Sequence, residues 1–170
     1  EPYDAIYMTD AQISQDKSIT IDITPDGTAI TVSSSVNATE DIQIELGVDA
    51  ALLEGYNKKY EKNYLPAPES SYSLSSNTTV IKAGHNMSEA VDLTVNSIEE
   101  FKEGSTYCIP VTIRSTSAMK VLEASRTLFV VLKTPVISKA IYLGSNIYRV
   151  DSFKQESSLA ALPQVTMEAR

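Results

Sequence analysis

The chain is short of the residues through which most protein chemistry runs. It holds one cysteine, one histidine and no tryptophan in 170 residues. A disulfide framework needs at least two cysteines. A Cys/His zinc site needs more ligands of those types than Cys108 and His85 supply. A Ser-His-Asp or Cys-His catalytic set would have to run through His85 alone. Positive charge is scarce too: 14 Lys and Arg stand against 22 Asp and Glu, for a net charge of −8 and a pI near 4.6. With no basic cluster, nucleic acid is excluded as an expected partner. No apolar run approaches the roughly 18 residues of a membrane helix. The longest, Leu128-Phe129-Val130-Val131-Leu132, has the length of a strand. A single cysteine leaves the redox compartment open.

What is present is the composition of an ordinary folded domain: 42% hydrophobic and 21% charged residues. The hydrophobic period is mostly two. Ile19, Ile21 and Ile23 alternate with polar residues, as do Ile30 and Val32, then Ile42, Ile44, Leu46 and Val48. The same holds for Val91, Leu93 and Val95, and for Tyr107, Ile109, Val111 and Ile113. Each run predicts a strand with one buried face. Residues 127–133 are apolar nearly throughout and predict a strand covered on both faces. Shorter runs at 4–8, 72–74 and 80–82 predict edge strands.

Turn signals separate the runs. Thr24-Pro25-Asp26-Gly27 predicts a hairpin between 19–23 and 28–36, with Gly27 at positive φ. Pro110 lacks a ladder donor, which predicts that its strand lies at an edge or bulges there. Residues 49–62 break the alternation. Leu52, Leu53, Tyr56 and Tyr60 form a helical stripe, with Asp49 to cap it and Asn63 or Leu65-Pro66 to stop it. Residues 97–102 predict a second helical turn, capped by Ser97 and ended by Gly104. Together these elements predict a mainly all-β, immunoglobulin-like two-sheet β-sandwich over residues 1–133, with one short crossover helix near 49–62. Residues 134–170 read as a linker and the first strands of a following module, or as a tail packed on the sandwich. Glu1-Pro2 reads as a mature or trimmed N-terminus.

Candidates for chemistry are few. His85 lies in Gly84-His85-Asn86, and an exposed turn histidine is preferred to a general base. Cys108 reads as a half-buried small hydrophobe, not a nucleophile. Glu99, Glu100 and Glu103, or Asp22 and Asp26, form no pattern of a glycosidase pair or a calcium loop. No catalytic residue, metal or cofactor is expected. The nine tyrosines are the surplus. Tyr56, Asn57, Tyr60 and Tyr64 lie close together, and aromatic rings with amides and hydroxyls are what glycans or partners contact. The competing expectation, that Tyr56 and Tyr60 pack on the sandwich with only their hydroxyls exposed, is preferred for their helical spacing. Asn37-Ala38-Thr39, Asn77-Thr78-Thr79 and Asn86-Met87-Ser88 match the N-glycosylation triplet, a pattern common by chance.

One set of marks is more specific in its order than in its parts: Val48-Asp49, Tyr56-Asn57, Asn63-Tyr64-Leu65-Pro66, Tyr72, Ile81-x-x-Gly84 and Tyr107-x-x-Pro110-Val111. Over residues 3–133 this resembles the N-terminal β-sandwich domain of Bacteroidetes surface lipoproteins, a family filed as a domain of unknown function. The resemblance implies an immunoglobulin-like fold, a place on the outer-membrane surface through a lipid anchor upstream, and no catalytic residues. It also implies a downstream partner module in the same polypeptide, lectin-like or a family-eighteen glycosidase, and a part in glycan capture. The function expected is a non-catalytic accessory domain. The alternatives are the N-terminal fragment of a glycoside hydrolase and an adhesive surface domain pairing through an edge strand.

Overall fold

The chain divides into two units, Glu1–Val136 and Ile137–Arg170. The structure, a computed structural model, describes residues 4–135. The linker and following strands, or packed tail, expected over 134–170 lie outside the described residues from 136 onward.

The described chain runs β1 (Ala5–Met8), β2 (Asp16–Thr20), β3 (Asp26–Ile30), β4 (Val32–Ser34), β5 (Ile42–Val48), α1 (Leu52–Tyr60), β6 (Leu65–Pro66), β7 (Tyr72–Leu74), β8 (Thr78–Ile81), β9 (Val91–Val95), β10 (Tyr107–Thr116), β11 (Lys120–Val121) and β12 (Thr127–Lys133). One layer is a six-stranded sheet in the order β2-β12-β10-β5-β8, with β6 added beside β10. The other layer is split into two three-stranded sheets, β3-β9-β7 and β11-β1-β4. Consecutive strands β3 and β4, separated by Thr31 alone, belong to different small sheets and link them along the chain. The architecture is the expected all-β sandwich, with its second sheet divided.

Alternation explains the core. Ile42, Ile44 and Leu46 of β5, Ile109, Val111 and Ile113 of β10, and Leu128, Val130 and Leu132 of β12 share one buried cluster. From the facing sheets come Ile6, Met8, Ile30, Val32, Val91, Leu93 and Val95. The opposite face of β12 is covered as well. There Phe129 and Val131 join Cys108 of β10 beneath Leu53 and Tyr56 of α1. The continuous apolar run of β12 therefore has a distinct partner on each face.

Four local expectations are corrected. The Thr24-Pro25-Asp26-Gly27 turn does not close a hairpin: β2 pairs in parallel with β12, whereas β3 pairs antiparallel with β9. A turn signal specifies that the chain reverses, not which strand its flanks hydrogen-bond. The chain crosses between layers here, so Ile21 is fully buried while Ile23 is 78% exposed. Gly27 is not among the residues at positive φ. It is needed for space, because a Cβ there would stand 1.9 Å from the Leu93 carbonyl oxygen.

Pro110 sits in β10, a central strand. It occupies a gap between successive neighbours on one side: β6 pairs as far as Cys108, and β5 pairs from Val111 onward. The missing N–H is tolerated at this local edge. The irregularity in the strand falls later, between Ile113 and Ser115. Residues 97–102 form a turn, not a helix. Ser97 accepts from the Glu99 N–H at 3.2 Å, and Phe101 N–H donates to Ile98 O at 3.0 Å. Phe101 then stacks on Tyr107 with ring centroids 4.2 Å apart.

Candidate functional site

The outer face of the six-stranded sheet carries α1 and, beside it, a polar groove. The helix follows β5 directly. Asp49 is not the cap expected of it: the N-cap is Ala51, without a side-chain cap bond, and Asp49 instead accepts the Ala51 N–H on Oδ1 at 3.1 Å, an Asx turn that ends one residue ahead of the helix proper. Leu53 and Tyr56 face the sheet and are buried. Glu54 in the first turn and Lys58 and Lys59 in the last complement the helix dipole. The helix stops at Glu61, which takes the left-handed conformation with φ 53°, ahead of the expected Asn63.

This geometry assigns most of the tyrosine cluster to packing. The Tyr56 ring stacks on Phe129, 4.3 Å between centroids, and only 6% of the residue is exposed. Burial, with Asp16 nearby, pushes its hydroxyl up to about 12. Tyr60 tilts against Tyr56 at 4.7 Å and donates its hydroxyl to Gln15 Oε1 at 2.9 Å. Gln15 in turn donates to Ala124 O at 2.9 Å. The Asn57 amide is engaged at both ends by the chain that leaves the helix: Nδ2 donates to Tyr64 O at 2.8 Å, and Oδ1 accepts the Tyr64 N–H at 3.1 Å. Tyr64 lies partly buried against the same cluster. The four candidate contact residues are thus brought together, but as a brace that holds α1 down. Tyr60, 40% exposed with the Lys59 ammonium 5.0 Å from its ring centroid, offers most ring to solvent.

The other candidates are equally local. His85 is exposed in its turn, its Nδ1 within 3.3 Å of Ala83 O. Cys108 is fully buried, not half-buried, and desolvation raises its thiol to about 12. Among the described residues no three His, Cys, Asp or Glu side chains are grouped to hold a metal ion.

The groove opens beside the first turn of α1. It has a volume of about 430 Å³ and is lined by Asp49, Leu52, Thr112, Arg114, Arg126 and Thr127. Arg126 is locked: its Nε and Nη2 form a fork with Glu123 at 2.9 and 2.6 Å, and its Nη1 donates to Ile113 O at 2.8 Å. This pairing holds the Glu123 carboxyl below its usual range. Thr127 donates to Thr112 at 2.9 Å across the β10–β12 pair. Arg114 lies over Gly47 and donates from Nη2 to Val48 O at 3.1 Å. Sequence reasoning missed all of these residues but Asp49 and Leu52. The signal available was the alternation that sets Thr112 and Arg114 on the face of β10 opposite Val111 and Ile113; the register that sets Thr127 opposite Thr112 is not written in either strand.

A family model described as "-like, N-terminal domain" matches residues 2–120. The chain belongs to this family of N-terminal domains. No curated protein matches it significantly. Among solved structures, a candidate carbohydrate-binding protein from Bacteroides ovatus superposes with a TM-score of 0.69 at 18% identity, over 78% of this chain and 37% of that one. EndoBT-3987 from Bacteroides thetaiotaomicron, solved with a Man5GlcNAc product, gives 0.62 at 20% identity, over 84% and 33%. The apo-form Calx CBD1 domain gives 0.56 at 8% identity, over 78% of this chain and 98% of that one. At these identities the likeness is one of fold. The N-terminal domain spans only 37% and 33% of the two Bacteroides proteins, but nearly all of the Calx domain.

Proposed function

We propose that this chain is a non-catalytic accessory domain of a glycan-handling protein on the outer-membrane surface, anchored by an upstream lipid. It spaces or presents a downstream module of the same polypeptide, lectin-like or glycosidic. The observation that carries this is the partial coverage: a family of N-terminal domains claims the chain, and Bacteroides proteins with the same fold are about two to three times its length. Its acidity supports the placement, keeping an exposed module soluble and without affinity for anionic polymers.

The test compares the whole gene product with a form lacking residues 1–135, on cells and on a glycan array. The expected result is that the truncated form keeps the specificity of the downstream module but captures polymer on cells less well. Unchanged capture would overturn the proposal. A second reading, the N-terminal part of a glycoside hydrolase, is favoured by the likeness to EndoBT-3987. It predicts that the whole gene product releases reducing sugar from an N-glycan and that this chain alone does not.

A further inference from the structure

We infer that the groove beside α1 is a subsite for one neutral pyranose unit of a glycan, with Asp49 and Arg114 as its hydrogen-bonding pair and Leu52 as its apolar wall. This rests on the glycan-handling reading above and moves the contact away from the tyrosines, whose rings pack on one another and on Phe129.

Three features carry it. The first is unused bonding capacity set on a fixed frame. Asp49 spends Oδ1 on the Ala51 N–H and has no partner for its second oxygen among the described residues. Arg114 spends one donor on Val48 O, leaving its other N–H groups without a protein partner among those residues. Thr112, 6% exposed and accepting from Thr127, backs the groove between them. An acceptor and a planar donor set within one groove match the vicinal hydroxyls of a sugar, each of which both gives and takes a hydrogen bond.

The second is charge. Two arginines, Arg114 and Arg126, are balanced by Asp49 and Glu123 around the same groove. An anion that reached Arg114 would meet two carboxylates, so a neutral polyhydroxyl ligand is favoured over a phosphate or uronate.

The third is shape. Leu52 falls one position off the buried stripe and is 37% exposed on the groove wall, where it offers an apolar surface to the C–H face of a ring. The volume of about 430 Å³ is within the roughly 300–1,000 Å³ of small-molecule sites. The groove is open to solvent, so affinity for a single residue is weak and gains from the avidity of a neighbouring module.

The experiment is an amide-shift NMR titration of the 170-residue chain. The probes are glucose, galactose, mannose, N-acetylglucosamine and their linear oligomers, with glucuronate as the charged comparison. Saturable shifts are expected at Leu52, Thr112, Arg114 and Thr127 with at least one neutral sugar. Asp49→Asn preserves the oxygen that accepts the Ala51 N–H, and Arg114→Ala removes an exposed side chain. Each should weaken binding about tenfold, the worth of one hydrogen bond to a charged group, at unchanged melting temperature. Shifts confined to residues 56–64, no saturable shift with any probe, or tighter binding of glucuronate would each overturn the assignment. If the truncated whole protein also captures glycan undiminished, the accessory reading falls with it. If capture is lost but the groove stays silent, only the subsite falls.

Discussion

Cys108 lies under α1 between Tyr56 and Val131, with no solvent exposure and a thiol raised to about 12. A thiolate-dependent reagent such as Ellman's should therefore find no reactive thiol in the folded protein at pH 8, and one after denaturation. A fast native reaction would show that the helix lifts from the sheet. Its neighbour Tyr56 should behave as core: Tyr56→Ala is expected to cost about 3–5 kcal/mol in urea unfolding, the range for deleting a buried aromatic. Tyr60→Phe removes only an exposed hydroxyl bond to Gln15 and should stay within about 1 kcal/mol. Asn57→Ala is expected to cost about 1–3 kcal/mol, because it strands the Tyr64 N–H and carbonyl at the helix exit. At this scale the sequence was half legible. The helical spacing placed Tyr56 on the buried side, but nothing in it announced that Phe129 would be the ring beneath. Asn57 looked like a contact residue because an amide engaged with backbone and an amide facing solvent are spelled alike.

Among the elements, two glycines separate two kinds of constraint. Gly27 approaches the backbone of β9, where a Cβ would meet the Leu93 carbonyl, and backbone has nowhere to go. Gly47 is overlain by the Arg114 side chain, with Nε 2.0 Å from the added Cβ, and a flexible side chain can swing out. Gly27→Ala should lower the thermal midpoint by several degrees, the shift that about 1–3 kcal/mol gives in a domain of this size. Gly47→Ala should shift it little while displacing Arg114, seen as loss of the Arg114 Nε cross-peak position in NMR. The strands themselves were legible because alternation is imposed one residue at a time. Their pairings were not. Parallel contact of β2 with β12 joins residues more than a hundred positions apart, and no local pattern distinguishes that from a hairpin to β3. The same limit hid the gap beside Pro110, which is created by where β6 ends and β5 begins.

For the molecule as a whole, the titrating groups frame a broad stability plateau. Asp41 is held low by the Ala83 N–H and by Lys82, and Glu123 by Arg126. A carboxyl whose folded value lies below its unfolded one stabilises above the unfolded value, and that stability is lost as pH falls through the folded one. Both groups are exposed, so the acid loss below about pH 4.5 should be shallow and sensitive to salt. On the alkaline side Cys108 and Tyr56 are raised by burial from 9.0 and 10.0 to about 12. Their contribution is complete below the unfolded values and is lost as pH rises through the folded ones. The melting temperature should thus stay level between about pH 5 and 9 and fall above that, and Cys108→Ala should flatten the alkaline limb. A limb unchanged by that substitution would mean that Cys108 contributes nothing to it. Fold class was readable at this scale from alternation and turn spacing alone. The polar groove was not, because it is assembled from the β5–α1 turn, the end of β10 and the start of β12.

The pairing of β2 with β12 has a mechanical side. The two strands run in the same direction, in register from Asp16 opposite Phe129 to Thr20 opposite Lys133. Tension entering through the chain before β2 and leaving through the chain after β12 pulls them past each other along their length. The hydrogen bonds between them are then loaded together, as in a lap joint, instead of being peeled one by one. A load that reaches this seam along the chain is therefore shared over its five paired positions at once.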